Sequence, residues 1–440
     1  MADLLALSAR YIDEGIYEGP GSVNRVTTEL SEISDGVAVI EAFSHVVTFR
    51  TGDGLVLFDT SLGALAGGVK NSLRAWSGEP VNTIAFTHGH IDHVGGAGTF
   101  IKEAEACGNP RPRFVGHENV AARIERYEMT NGYNALINER QFGGGGDGSN
   151  LMGNTRGSGE LRISRFGPKE WVYPDTTFRE HLAVRVGDTV FELNHSKGET
   201  DDHLWAWVPE REAICAGDFL IWCFPNAGNP QKVQRYPLEW ARTLRQMEMK
   251  EPELLLPAHG LPIGGRRRVR AVLFDTATAL ETILEQSLKL MNQGARLDAL
   301  IHEVKVPDYL LDKPYLRPTY DEPEFIVHNI WRLYGGWYDG NPANLKPAAE
   351  AALAREMVSL AGGVEKLIDR ARDLAGTGDT RLACHLIEMA TSAEPGHKEA
   401  HGARAEIYGL RRKEELSLMS KGIYGYAERE SLRLAERKTP

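Results

Sequence analysis

The chain has 440 residues, 42% of them hydrophobic and 25% charged, a composition typical of globular proteins with two or three domains. Its formal net charge of −11 argues against a protein whose main role is to bind nucleic-acid phosphates. No stretch approaches the roughly 20 apolar residues that span a bilayer, no signal peptide is visible, and the four cysteines show no CxxC spacing. We therefore expect a cytoplasmic protein with reduced thiols.

Short apolar runs separated by turn residues predict a chain that begins with β-strands. Ser-Asp-Gly stands at the start of the first run and Thr-Gly-Asp-Gly divides the second from the third, which favours hairpins, and a helix is predicted over 65–76. The predicted strands cover 36–40, 46–50, 55–59, 83–87, 182–186, 190–193, 204–208, 213–215 and 254–256. Strands mixed with helices and hairpins indicate stacked α/β layers rather than a purely parallel sheet.

A glycine-rich segment, residues 143–159, separates the two groups of strands. Glycine occupies 8 of its 17 positions, so the segment has little to bury and is costly to order. We predict a loop here. It is either a tolerated surface insertion or a lid near the active site, because long loops in compact domains often carry function.

The sequence changes character after about residue 268, where helical patterns replace the strands. Helices are predicted over 273–293 and 297–305, and nearly all of the chain from 347 onward has a helical composition. Residues 374–408 resemble one helical-hairpin repeat of the tetratricopeptide kind, although a single copy cannot form a solenoid. We predict a catalytic domain over 1–268 and a helical domain over 269–440.

The segment Thr87-His88-Gly89-His90-Ile91-Asp92-His93 places four candidate metal ligands within six residues. It follows the predicted strand 83–87, and its glycine permits a tight turn. If a helix begins near Asp92, the first two histidines can converge on one ion while Asp92 and His93 face a second. Nitrogen and oxygen ligands of this kind are typical of zinc sites.

A two-metal site needs further ligands, and candidates follow three later predicted strands. Glu199 lies in His-Ser-Lys-Gly-Glu-Thr, Asp218 in Ala-Gly-Asp, and His259 in Pro-Ala-His-Gly. Side chains placed just after strand ends gather at one edge of a sandwich, where binding sites form. The sequence therefore predicts a metal centre at that edge.

The order of these motifs resembles the metallo-β-lactamase superfamily, and the resemblance implies an αββα sandwich with two metal ions. It implies His88, His90 and Glu199 on the first ion, Asp92, His93 and His259 on the second, and Asp218 bridging both. Asp59 matches an aspartate of the family that contacts the metal ligands and not the metal ions. We predict Asp92 and Asp218 as the carboxylates of the catalytic centre.

A glutamate at position 199, where most members have histidine, is similar to the alkyl-sulfatase branch of this fold. Residues 331–345 look like the signature of the alkyl-sulfatase dimerisation domain, which implies an all-α dimerisation domain after the sandwich and a homodimer. Asn134 and Arg140 resemble part of the sulfate-holding region of that branch. Lys232 and Arg235 are candidates for its sulfate-binding arginine, whereas Asp218 stands where that branch usually has a bridging glutamate.

We predict a metal-dependent hydrolase in which a water bridged by two divalent ions, Zn²⁺ or alternatively Fe or Mn, attacks a small anionic ester. Alkyl-sulfate esters are the leading substrates, and another ester, a thioester, a lactone or a phosphodiester would suit the same centre. A zinc β-lactamase is disfavoured because those enzymes lack the helical domain. A binding protein with a vestigial site conflicts with seven competent donors, and a di-iron oxidoreductase is disfavoured because no flavin domain follows the sandwich.

Overall fold

The computed structural model describes residues 3–142 and 166–436. These residues form two compact units, the first containing 3–132 and 166–336 and the second containing 133–142 and 337–436. The predicted loop 143–159 lies outside the described residues, so the choice between a surface insertion and a lid stays open.

Within the described residues, thirteen strands form two sheets, both in the first unit. The first sheet has the order β1-β2-β3-β4-β5-β6-β7: β1 (Leu30–Ser34), β2 (Val37–Ile40), β3 (Val46–Thr51), β4 (Gly54–Phe58), β5 (Val81–Ala85), β6 (Arg113–His117) and β7 (Thr176–Phe178). The second has the order β13-β12-β11-β10-β9-β8: β8 (His181–Val186), β9 (Thr189–His195), β10 (Leu204–Val208), β11 (Ala213–Ile221), β12 (Leu254–His259) and β13 (Ile263–Gly264). Strands β1 to β4 pair antiparallel, β4 to β7 pair parallel, and the second sheet has one parallel pair, β11 with β12.

The helices of the described residues follow in chain order. They are α1 (Leu4–Glu14), α2 (Pro20–Val23), α3 (Ala66–Trp76), α4 (Ile91–Val94), α5 (Ala97–Cys107), α6 (Asn119–Met129), α7 (Asn131–Phe142), α8 (Pro237–Met249), α9 (Arg266–Asn292), α10 (Leu297–Glu303), α11 (Asp308–Leu311), α12 (Pro323–Gly335), α13 (Pro342–Leu345), α14 (Glu350–Ala361), α15 (Val364–Gly376), α16 (Thr380–Ala393), α17 (Lys398–Glu414) and α18 (Leu418–Glu436). None of the helices in the described part of the chain is long and apolar enough to cross a membrane.

The two sheets pack face to face because alternate residues of each strand are apolar on the inner side. In β4, Val56 and Phe58 join the inner cluster, where Phe58 and Phe49 contact Phe191 of the opposite sheet. Leu55 and Leu57 of the same strand point the other way, into a second cluster. Strand β4 is therefore buried on both faces, as expected for a central strand of a layered α/β fold.

Helices cover both outer faces of the sandwich. Helices α3, α5 and α6 bury Leu73, Phe100 and Ile124 against the first sheet. On the second sheet, α8 and α9 bury Trp240 and Leu280 in the cluster that contains β11 and β12 residues. The layers are thus α, β, β and α, and the predicted fold class, a sandwich followed by a helical segment, is confirmed.

Helix α9 lies after the predicted domain boundary at residue 268 but packs with the residues before it. Its apolar face packs against α8 in the core of the first unit, and α10 and α12 add to the same cluster. Those contacts place residues up to 336 in the first compact unit. The division of the chain into 1–268 and 269–440 stays a prediction about sequence domains.

The second unit has its own core. Apolar residues of α15, α16 and α17, including Ile368, Ile387 and Ile407, pack into one cluster. Helices α16 and α17 form the hairpin predicted over 374–408, and Asp379 begins α16 by accepting a hydrogen bond from the Leu382 amide.

Candidate metal centre

The histidine-rich segment leaves the end of β5 and turns into the short helix α4. His90 is the extended residue before this helix, and the His93 amide donates to the His90 carbonyl at 3.0 Å. The turn separates the side chains into two directions, with His88 and His90 on one side and Asp92 and His93 on the other. Helix α4 therefore begins at Ile91, one residue before the predicted start.

Four side chains form the first donor group: His88, His90, Glu199 and Asp218, whose ligand atoms all lie within 4.8 Å of one another. His88 Nε2 is 2.8 Å from His90 Nδ1, and His90 Nδ1 is 3.7 Å from Glu199 Oε1. His88 Nε2 is 3.8 Å from Asp218 Oδ2. The first donor group thus joins β5, β11 and the loop after β9.

The second donor group consists of Asp92, His93 and His259. Asp92 Oδ2 lies 3.3 Å from His259 Nε2 and 3.5 Å from His93 Nε2. Asp218 also reaches this group, because its Oδ1 is 3.5 Å from His93 Nε2 and 3.6 Å from His259 Nε2. The two oxygens of Asp218 therefore face different groups, and all seven predicted donors lie together.

Asp218 lies within a strand, not after one as we predicted. Strand β11 continues to Ile221, and its register against β12 shifts on both sides of Gly217. Gly217 has φ +53°, and a Cβ there would lie 2.7 Å from His203 Nε2, so only glycine fits this bulge. The bulge turns Asp218 toward the donor groups, and alternation along the sequence could not reveal it.

Asp59 contacts His93 at Nδ1, the ring nitrogen directed away from the donor groups. Its Oδ2 is 2.7 Å from His93 Nδ1 and accepts the Thr87 hydroxyl at 2.8 Å, while its Oδ1 accepts the Thr87 amide at 2.8 Å. Asp59 is buried and has φ +65°, a conformation that aspartate tolerates better than most residues. By accepting the Nδ1 proton, Asp59 leaves Nε2, which faces Asp92 and Asp218, as the nitrogen of His93 that can bind a metal ion.

Glu199 is held by Arg235 and Asn226. Both Arg235 and Glu199 are almost fully buried, and Arg235 Nη2 donates to Glu199 Oε1 at 3.1 Å while Nη1 donates to the Glu199 carbonyl. Asn226 Nδ2 donates to the same Oε1. Arg235 in turn is fixed by Asn329 of α12, which exchanges hydrogen bonds with its backbone. The structure therefore places the Arg235 guanidinium on a donor carboxylate.

The donor histidines differ in charge. Burial lowers the pKa of His88 and His90 well below the ordinary value, and neighbouring cationic side chains lower it further. Burial also opposes a charge on His93, but the Asp218, Asp59 and Asp92 carboxylates together raise its pKa well above the ordinary value. The His259 pKa is raised by Asp218 and Asp92 despite burial.

The two carboxylates of the first donor group, Glu199 and Asp218, have pKa values shifted in opposite directions. Burial raises the pKa of Glu199 well above its usual range, and the nearby Asp218 carboxylate raises it further against the effect of Arg235. Burial also acts against the charge of Asp218, but His93 and His259 hold its pKa well below the usual range. In the metal-free protein Asp218 is thus the more strongly ionised of the two.

The donor residues fit metal ions. Among the described residues, buried side-chain atoms that make no hydrogen bond include His93 Nε2, Glu199 Oε2 and Asp218 Oδ1, which all belong to the two donor groups. Unsatisfied buried atoms are costly, so atoms of this kind are expected where a ligand binds. Four imidazoles with three carboxylates suit zinc, and also iron or manganese.

The predicted substrate residues fall in different places. Lys232 is partly buried, and burial together with Arg235 lowers its pKa to about 7, while Asp92 and Glu199 oppose this shift. Asn134 and Arg140 lie on α7 in the second unit, where the Arg140 guanidinium is 5.7 Å from the Tyr426 ring. The donor groups belong to the first unit.

Sequence reasoning missed the groups that surround the donors. These groups are the buried side chains of Asp202, Arg123 and Asn226. Asp202 contacts the histidine-rich segment, Arg123 contacts Asp202, and Asn226 contacts Glu199. Asp202 stands three residues after Glu199, so its position was a signal that could have been used. Arg123 and Asn226 carry no local signal, because their partners lie 79 and 27 residues away.

Two family models match this chain, and known proteins are similar to it. Residues 40–259 match the family model of the metallo-β-lactamase superfamily, and residues 296–433 match that of alkyl sulfatase dimerisation. A solved stereoselective inverting sec-alkylsulfatase from Pseudomonas sp. has a similar fold, with a TM-score of 0.81 at 21% identity over 94% of this chain and 66% of that chain.

Curated relatives are alkylsulfatases. A linear primary-alkylsulfatase from Pseudomonas sp. is 26% identical over 84% of this chain and 69% of its own length. An alkyl/aryl-sulfatase from Saccharomyces cerevisiae is 23% identical over 84% of this chain and 59% of its own length, so the chain spans only part of these relatives. The superfamily binds metal ions, and this chain has two groups of candidate metal-binding residues. The chain belongs to the metallo-β-lactamase superfamily.

Proposed function

We propose that this protein is a metal-dependent hydrolase that cleaves alkyl-sulfate esters at a centre of two divalent ions. The observation that carries the proposal is the position of Asp218, whose two oxygens face two separate donor groups. A carboxylate between two groups suits a pair of ions, since it offsets part of their mutual repulsion. The similar alkylsulfatases support the substrate class.

In this proposal His88, His90 and Glu199 hold one Zn²⁺, Asp92, His93 and His259 hold the other, and Asp218 is shared. Two ions bound there would lower the pKa of a water between them and polarise the ester. Asp59 keeps the His93 Nε2 lone pair available, and Arg235 offsets the charge of Glu199. Water and the alkyl sulfate give the alcohol and hydrogen sulfate.

Lys232 is our candidate for holding the anionic sulfate oxygens. Its charge interacts with Asp92 of the second donor group and Glu199 of the first, so it acts on both halves of the centre. Arg126 adds positive charge to the same surroundings. Arg235 suits this role less well, because its guanidinium is engaged by Glu199. Asn134 and Arg140 stay predictions from the sequence.

We also propose a homodimer, formed through the second unit. Trp337, Leu345, Leu353 and Leu360 belong to this unit and are 53–74% exposed. Large apolar side chains at such exposure are typical of interfaces. Light scattering should give twice the chain mass of 48.7 kDa, and Leu360→Glu should shift the protein toward the monomer. A wild-type mass near that of one chain at micromolar concentration would refute the dimer.

The test of the function is release of inorganic sulfate from dodecyl sulfate by Zn²⁺-loaded protein. Asp92→Ala removes a carboxylate of the second donor group and should abolish nearly all turnover. Asp298→Ala, at an exposed aspartate of α10, is the matched control and should leave turnover unchanged.

Sulfate release by wild-type and control proteins, with none from Asp92→Ala, is the expected result. Protein that carries two ions per chain but releases no sulfate would contradict the alkyl-sulfatase proposal. Lactones, thioesters and phosphodiesters would then be the substrates to assay on the same centre.

A further inference from the structure

The backbone between His88 and His90 is held by a buried carboxylate outside the donor groups. The Gly89 amide donates to Asp202 Oδ2 at 2.7 Å, and Arg123 Nε donates to Asp202 Oδ1 at 2.9 Å. Asp202 is completely buried and Arg123 nearly so. We call Asp202 and Arg123 together the backbone clamp.

The backbone clamp packs tightly on Gly89. A Cβ at this position would lie 3.0 Å from Asp202 Oδ2 and 3.2 Å from Arg123 Cδ, so a larger residue would displace the clamp. This close approach explains why glycine stands between the two histidines. The hydrogen bond to Asp202 therefore fixes the backbone of Gly89, the residue between His88 and His90.

The clamp also connects three separate parts of the chain. Arg123 lies on α6, Asp202 lies in the loop between β9 and β10, and Gly89 follows β5. Glu199 is in the same loop as Asp202, three residues earlier. The hydrogen bond between Gly89 and Asp202 therefore sets the position of Glu199 relative to His88 and His90. All three of these side chains belong to the first donor group.

Charge makes this contact rigid. Arg123 Nη2 donates to Asp201 Oδ1 at 2.5 Å, so one guanidinium binds two successive carboxylates of the loop. Hydrogen bonds between charged groups in a buried setting are short, strong and directional. These two contacts between charged groups, together with the Gly89 hydrogen bond, restrict the loop more than its own backbone would.

We propose that Asp202 and Arg123 are positioning residues that hold His88, His90 and Glu199 in the geometry required for the first metal ion. The inference rests on the proposed metal centre and deepens it. Groups that orient metal ligands typically change metal affinity 10–100-fold when they are altered. The clamp acts on the ligand backbone, and neither Asp202 nor Arg123 belongs to a donor group.

The test is zinc binding by the full chain with Asp202→Asn. Asparagine keeps the shape but cannot accept from both Gly89 and Arg123, so one of the two contacts is lost. Titration against a chelator should show one of two Zn²⁺ ions bound about 10–100-fold more weakly. The visible spectrum of the Co²⁺-loaded variant should change, since it reports coordination geometry.

The matched control is Glu103→Gln. Arg74 and Glu103 form an arginine–carboxylate ion pair in the same unit, between α3 and α5, with two hydrogen bonds of 2.7 and 3.0 Å. This variant should lower the melting temperature but leave zinc affinity and the Co²⁺ spectrum unchanged. A purely structural role of Asp202 would give the same pattern as Glu103→Gln.

Zinc affinity and Co²⁺ spectrum both at wild-type values in Asp202→Asn would overturn the inference. If that variant does not fold, Arg123→Lys keeps the buried charge but loses the guanidinium that binds both Asp201 and Asp202, and the same two measurements decide. Neither measurement depends on sulfatase activity, so a wrong substrate leaves the test intact. A wild-type chain that binds no zinc would instead refute the metal centre itself.

Discussion

Asp59→Asn tests whether a carboxylate behind His93 sets the protonation of that ligand. The Thr87 amide is a fixed donor to Oδ1 at 2.8 Å, so the new amide nitrogen must take the Oδ2 position, which faces His93 Nδ1 at 2.7 Å. His93 Nδ1 must then accept a hydrogen bond, and its proton moves to Nε2. A protonated Nε2 cannot bind a metal ion. Asparagine tolerates the φ of +65° at this position, so backbone strain does not contribute.

The expected loss is 10–100-fold in affinity for one ion, or about 1.4–2.7 kcal/mol. The assay is competition with a chelator, and the control is Asp53→Asn in the exposed turn before β4. Zinc affinity equal to that of the control, in a variant with the wild-type melting temperature, would show that Asp59 does not orient His93.

Three further predictions concern charge in and beside the donor groups. Apparent zinc affinity should rise with pH above about 6.5, because the raised pKa values of His93 and His259 keep protons on these ligands and zinc must displace them. Zinc binding should therefore release protons. In the metal-free protein, the stability that comes from protonation of these two histidines is present below about pH 6.5 and is lost as the pH rises through their raised pKa values. Arg235→Met leaves the carboxyl and carbonyl oxygens of buried Glu199 without their guanidinium donors and should lower the unfolding free energy of metal-free protein by about 1–3 kcal/mol, measured by denaturant titration. Lys232→Gln should raise the KM for dodecyl sulfate about 10–100-fold with little change in kcat, because a charged hydrogen bond is lost.

Each of these predictions has a contrary outcome. Zinc affinity independent of pH between about 6 and 8 would show that the bound protons are absent. A loss under about 1 kcal/mol in Arg235→Met would mean that Glu199 does not depend on this cation. For Lys232→Gln the control is the exposed Lys250→Gln, and equal KM values in the two variants would remove Lys232 from the substrate site.

The layered fold was predictable because its signals are local. Apolar runs and glycine turns marked strands β2, β3, β4 and β10 to within one or two residues, since burial in a sheet needs a short run of apolar side chains. The strand Arg113–His117 was missed because its central residues are flanked by charged and glycine positions. The first compact unit extends to residue 336 because α9 packs on α8, which depends on tertiary contacts.

By itself the sequence predicted the seven candidate donors, because the dense segment from His88 to His93 is followed by three further motifs in a distinctive order. Only the tertiary structure decided what supports them. The bulge at Gly217, the Arg235 contact with Glu199 and the backbone clamp on Gly89 join segments that are far apart in the chain. Buried charges must find partners, and in a sandwich those partners come from other layers, where no local pattern records them.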